Sequence, residues 1–256
     1  TPRFAGTSSQ AQLQMAARLL EEFPDVYLQT HLSENLKEVA WIQSLFPERA
    51  NYLDVYDQAG LVREKSVFAH GIHLSDQEWQ RLSQARAAIS FCPTSNLFLG
   101  SGLFNLQQAK HPDRPVKLGL GTDIGAGTSF SLLQTSNEAY KVAQLQGQQL
   151  SALQALFLAT LGGARALCLE DKIGSFEVGK EADFIVLDPQ ATPLLALRNA
   201  GGLPADLTGL ADVLFSLLMM GDDRAIAATY IMGQPLYLNP GQPIPSGYHQ
   251  IGRAHV

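Results

Sequence analysis

His31, His70 and Asp123 each follow a short apolar run, and Glu34 lies three positions beyond His31. Val26-Tyr27-Leu28 leads into Gln29-Thr30-His31-Leu32-Ser33-Glu34, Ser66-Val67-Phe68-Ala69 stops on His70, and Lys117-Leu118-Gly119-Leu120-Gly121-Thr122 stops on Asp123. A fourth run, Ala88-Ile89-Ser90-Phe91, stops on Cys92-Pro93. Imidazoles and carboxylates that meet in one pocket are the groups that hold a divalent cation and move a proton. The expectation is that the metal-facing nitrogens of His31 and His70 and the carboxylate of Asp123 lie within about 7 Å of one another, the span of one ion and its water.

The elements that would position these groups follow from the pattern. Short apolar runs separated by helix-like stretches read as buried parallel strands. In a (β/α) barrel the residues at the carboxyl ends of such strands converge on one face. Strands are expected over 26–30, 66–69, 88–92 and 117–122. Ser9 and Ser75 are placed to cap helices over 10–22 and 76–86, and helical patterns occupy 35–46, 51–60, 129–147 and 151–167. From residue 169 the pattern changes: a turn-rich bend, a strand over 182–188, a helix over 211–220 and strands over 226–238 turning at Met232-Gly233. β segments without intervening helices read as a second, sheet-rich module. Residues 199–204 read as a loop and 239–256 as a tail.

Composition bounds the partners. The chain has 256 residues, 46% hydrophobic and 16% charged, enough for a large core. A net charge of −6 and a pI near 5.5, with no basic block, argue against a nucleic-acid partner. No apolar stretch reaches the roughly 18–20 residues that span a bilayer. Two cysteines, Cys92 and Cys168, form no disulfide framework and favour a reducing, cytoplasmic setting. Cys92 reads as a small buried hydrophobe, His73 as a group behind the site or on the surface, and Asp222-Asp223-Arg224 as a turn with a surface ion pair.

The chain begins at Thr1 and ends Ile251-Gly252-Arg253-Ala254-His255-Val256. The string ATC GGA AGA GCA CAC GTC encodes that ending and matches a sequencing adapter, so the expectation is a chain cut at both ends. His249 and His255 are therefore left out of any site.

Together the motifs resemble the amidohydrolase superfamily of metal-dependent hydrolases, and within it the guanine-deaminating family. QTHLSEN, FAHGIHL and GLGTDIGAG resemble the ends of that family's barrel strands 5, 6 and 8. CPTSNLFLGSG is similar to its strand-7 loop, Thr1-Pro2-Arg3-Phe4 to its guanine-contacting motif, and IGSFEVGKEADFIVLD to the return into its small β domain. The fold so implied is α/β: residues 1–168 as the C-terminal half of a (β/α)8 barrel, about strands 5–8, and 169–238 as part of a β-sandwich with a helix returning to the barrel. The activity implied is hydrolysis of guanine to xanthine and ammonia. His31 and Asp123 would be metal ligands, for Zn²⁺ or else Fe²⁺ or Mn²⁺. Glu34, His70 and Asp123 would be catalytic. Arg3, Phe4, His31, Glu34 and Asp123 would contact the purine. The family's HxH pair of strand 1 does not occur in this chain. Residues 1–256 expressed alone are therefore expected to be inactive and poorly soluble, and the full-length protein to be a homodimer. Another aminohydrolase or chlorohydrolase of the superfamily, or a non-catalytic fragment, are the alternatives.

Overall fold

Two sheets organise the computed structural model, which describes residues 1–240. The first is fully parallel: β1 (Leu28–Leu32), β2 (Ser66–His70), β3 (Ala88–Phe91) and β4 (Lys117–Leu120), adjacent in chain order. Helices make each crossover. After α1 (Gln10–Glu22), α2 (Leu36–Leu45) and α3 (Tyr52–Gln58) join β1 to β2, and α4 (Asp76–Gln84) joins β2 to β3. α5 (Pro93–Phe98) and α6 (Leu106–Ala109) join β3 to β4, and α7 (Leu132–Leu145), α8 (Ala152–Ala159) and α9 (Leu161–Ala166) follow. A parallel sheet whose strands are connected by helices is the α/β arrangement that the strand pattern implied, consistent with part of a barrel. The second sheet is antiparallel: β5 (Phe184–Leu187), β6 (Ile226–Ile231) and β7 (Gln234–Leu238). α10 (Pro193–Arg198) and α11 (Leu207–Met220) lie between β5 and β6. The tail expected over 239–256 falls mostly on residues 241–256, outside the described residues, as do the adapter-like ending, His249 and His255.

Local chemistry sets the helix starts. Ser9, Asn35, Ser75 and Ser151 each accept a backbone N–H with their side chain, while Gln12, Glu38, Glu78 and Gln154 reach back to close the capping box. The core runs under the parallel sheet. Leu32, Phe68, Ile89 and Phe91 meet Trp79, Leu82 and Phe104, and the Phe91 and Phe104 rings stack with centroids 4.6 Å apart. Among the described residues no helix is long and apolar enough to cross a membrane.

Several elements differ from the pattern. β1 starts two residues later than expected. Pairing opens only where Leu28 N–H donates to Lys65 O, while Val26 and Tyr27 stay 44% and 40% exposed. His31 is therefore inside the strand rather than beyond it. The stretch after Cys92 is a helix, not a loop, because Pro93 at its first position presets the backbone and needs no N–H partner. The single helix expected over 151–167 breaks at Thr160 (φ −125°, ψ −101°) into α8 and α9. The break lets Gly163 lie flat on Gly119 of β4, so close that a Cβ on Gly119 would stand 2.9 Å from Gly163 Cα. Gly119→Ala is expected to push β4 and α9 apart and lower stability by about 1–3 kcal/mol, the usual cost of overpacking. An unchanged urea midpoint would show that the contact is slack. α10 was not legible in the pattern, and α11 begins four residues earlier than expected, capped by Asp206.

Candidate metal centre and active site

The carboxyl ends of β1, β2 and β4 bring His31, His70 and Asp123 together. One ligand atom from each lies within 4.8 Å of the others. Donors bound to one ion at about 2.0–2.2 Å stand at most about 4.4 Å apart, so a small side-chain movement would bring the three into its reach. The donor set, two imidazoles and a carboxylate, suits a divalent transition ion.

His31 is held by backbone. Its Nδ1 lies 2.7 Å from Arg3 O, and its amide N–H and the Thr30 hydroxyl donate to the same oxygen at 3.1 Å. A carbonyl only accepts, so Nδ1 carries the ring proton and Nε2 presents its lone pair to the pocket. Below this contact the buried Tyr56 hydroxyl accepts Ala5 N–H and donates to His31 O, each at 2.8 Å. The Arg3–Ala5 segment is thus stitched to β1. The same segment puts Arg3 and Phe4 on the wall of a cleft of about 380 Å³, shared with His31, Glu34, Lys37 and Trp41. Phe4 packs against Trp41 with ring centroids 5.9 Å apart.

His70 ends β2 with φ +74°, a left-handed conformation that costs a non-glycine residue energy and turns the imidazole back under the site. It is fully buried; Nδ1 lies 2.8 Å from Asn96 Nδ2, and Nε2 has no hydrogen-bond partner among the described residues. Glu34 Oε2 and Asp123 Oδ2 stand 3.7 Å and 3.9 Å from that Nε2. Burial, then the nearby His31, lowers the His70 pKa to about 4, against the pull of Asp123 and Glu38. The ring is therefore neutral at pH 7. Asp123 also has positive φ (+44°), in a tight turn closed by Gly127 N–H on Asp123 O; a Cβ on Gly127 would meet Thr122 O at 1.8 Å.

Glu34 is oriented from both sides. Ser101 Oγ donates to its Oε1 at 3.1 Å, and Glu38 accepts the Glu34 backbone N–H at 2.9 Å. His73 Nε2 binds Ser101 O at 2.8 Å, so it stands behind Glu34 and not at the centre. Cys92 is buried and its thiol is pushed up to about 12 by burial, which leaves it neutral and inert. Asp222 and Arg224 form an ion pair at 2.7 Å. Sequence reasoning missed Asn96, Ser101, Tyr56 and the Glu38 carboxylate. Only Glu38 carried a local signal, the Asn35-x-x-Glu38 capping box.

The profile described as the amidohydrolase family matches residues 1–236. Guanine deaminase of Escherichia coli (strain K12) is 56% identical over 237 residues, covering 93% of this chain and 52% of that protein. A solved structure of E. coli guanine deaminase superposes with a TM-score of 0.88 at 56% identity, over 93% of this chain and 54% of that one. A zinc-bound adenosine deaminase of Xanthomonas campestris superposes with a TM-score of 0.77 at 26% identity, over 96% and 54%. The chain spans about half the length of the curated relatives it matches.

Proposed function

The chain belongs to the amidohydrolase family, and from that membership we propose that it supplies about strands 5–8 of a metal-dependent barrel that hydrolyses guanine to xanthine and ammonia. The observation that carries this reading is the cluster itself: His31, His70 and Asp123 within 4.8 Å, with the Glu34 carboxylate beside His70 and the Arg3–Phe4 segment on the adjoining wall. Similarity to guanine deaminases over nearly all of the chain supports the substrate.

His31 Nε2 and an Asp123 oxygen would hold the ion, Zn²⁺ or else Fe²⁺ or Mn²⁺, with two further ligands from the HxH pair found in the superfamily and not in this chain. Such an ion supplies hydroxide near neutral pH by lowering the pKa of a water molecule. Glu34 does the proton work. Its carboxylate would take a proton from the attacking water and give it to the purine ring nitrogen as the adjacent carbon is attacked; the proton left on the added hydroxyl would then pass, through Asp123 or Glu34, to the departing amine. Ser101 keeps that carboxylate aimed at the centre. His70 donates a hydrogen bond to the attacking oxygen. Arg3 donates to a purine acceptor, and Phe4, backed by Trp41, positions the flat ring.

A substrate panel tests the reading. Guanine, adenosine and a chlorotriazine are offered to the zinc-loaded protein carrying the complete barrel. Guanine is expected to be the substrate turned over. Preferential turnover of adenosine or the triazine would move the protein to another branch of the family.

A further inference from the structure

The two imidazoles of the centre, 5.2 Å apart ring to ring, are wired differently at their far nitrogens. His31 Nδ1 faces a carbonyl, which forces the proton onto Nδ1. His70 Nδ1 faces the side-chain amide of Asn96, 1% exposed and set in the first turn of α5 by Pro93 and by its own N–H to Cys92 O. We propose that Asn96 is the positioning residue that holds His70 as the Nε2–H tautomer, a hydrogen-bond donor beside the metal rather than one of its ligands.

The surroundings of the other nitrogen fix the direction of the amide. Two carboxylates, Glu34 and Asp123, face His70 Nε2 at 3.7 Å and 3.9 Å. A proton on Nε2 is attracted to both, whereas a bare lone pair there is repelled by both. At mildly alkaline pH the ring carries a single proton; with that proton on Nε2, Nδ1 accepts and the partner at 2.8 Å donates: the Asn96 NH₂. The cost is an Asn96 Oδ1 with no hydrogen-bond partner among the described residues. Turning the amide over would leave the NH₂ without a partner instead and set the Nε2 lone pair against the carboxylates. Opposite tautomers thus divide the work: His31 offers its lone pair to the ion, and His70 offers a proton to the attacking oxygen. The three-residue cluster then holds two ligands and one donor, although all three could bind by distance alone.

This deepens the proposed function and rests on it for its catalytic consequence, but the tautomers themselves are read without substrate or metal. The test is a two-bond ¹H–¹⁵N correlation spectrum of the protein carrying the complete barrel, labelled at histidine nitrogen and recorded metal-free at mildly alkaline pH. The expected result is a bare Nδ1 and protonated Nε2 for His70, and the reverse for His31. A protonated Nδ1 on His70 overturns the proposal, and this wild-type spectrum decides even if variants fold poorly. Asn96→Asp replaces a donor by an obligate acceptor and is expected to put a proton on His70 Nδ1 while leaving His31 unchanged. A His70 spectrum unmoved by Asn96→Asp also overturns it. In the metal-loaded protein with the complete barrel, the same substitution should lower kcat about 10–100-fold with KM held. An unchanged kcat would contradict the positioning role. Failure of the unsubstituted protein to deaminate guanine would instead sink the functional reading and leave the tautomer assignment standing.

Discussion

Glu34→Gln is expected to abolish guanine turnover in the protein carrying the complete barrel while leaving its metal content unchanged. The amide keeps the size and the Ser101 hydrogen bond of the carboxylate, which lies 3.1 Å from Ser101 Oγ. It loses the exchangeable proton. General acid–base help is worth about 10²–10⁴-fold, and Glu34 is asked to act twice in one cycle, so the loss should reach at least the upper end. Because Glu34 sits 3.7 Å from His70 and outside the His31–His70–Asp123 donor group, zinc stoichiometry should stay at the wild-type value. Metal analysis and ammonia release on one preparation separate the two effects. Wild-type turnover with full metal occupancy would remove Glu34 from the mechanism.

Asp123→Ala has the opposite signature, with metal and activity lost together. The substitution deletes the carboxylate at the end of β4 that makes the cluster more than two imidazoles. Removing a group that only supports a ligand costs about 10–100-fold in affinity; removing a ligand should cost at least about 100-fold. The backbone there is left-handed, φ +44°, and Asn tolerates that conformation better than Ala. Asp123→Asn is therefore the companion variant, with the turn preserved and the negative charge gone. Both variants should titrate with zinc far more weakly than wild type in calorimetry. Tight binding by Asp123→Asn would mean that the carboxylate is not a ligand.

The parallel sheet and most of its cluster were legible because they rest on local signals. Buried parallel strands read as short apolar runs, and the polar residue that stops each run lies at the strand's carboxyl end. That logic located His70 and Asp123 from Ser66–Ala69 and Lys117–Thr122. Ser9 and Ser75 marked helix starts through hydrogen bonds three residues long. What was hidden depends on contacts distant in sequence. β1 begins at Leu28 because Lys65 offers the first carbonyl, 37 positions away, and the local run Val26-Tyr27 gives no hint of it. α8 and α9 separate at Thr160, and the contact this break permits, Gly163 on Gly119, spans 44 positions of sequence. Asn96 and Tyr56 are ordinary helix residues in sequence, and their roles exist only where α5 and α3 pass beneath His70 and His31.

Ammonia release from guanine tests the central claim most directly. It would be measured for residues 1–256 alone and for the same residues joined in frame to the N-terminal half of a full-length relative, each with and without zinc, at matched protein concentration. The account predicts xanthine and ammonia from the joined protein only, and only with metal, because His31 and Asp123 then gain the HxH pair. A joined protein that takes up zinc at one ion per chain yet releases no ammonia from guanine would contradict the account. So would robust, metal-dependent turnover by the 256 residues alone, since the metal would then be held by residues other than those assigned.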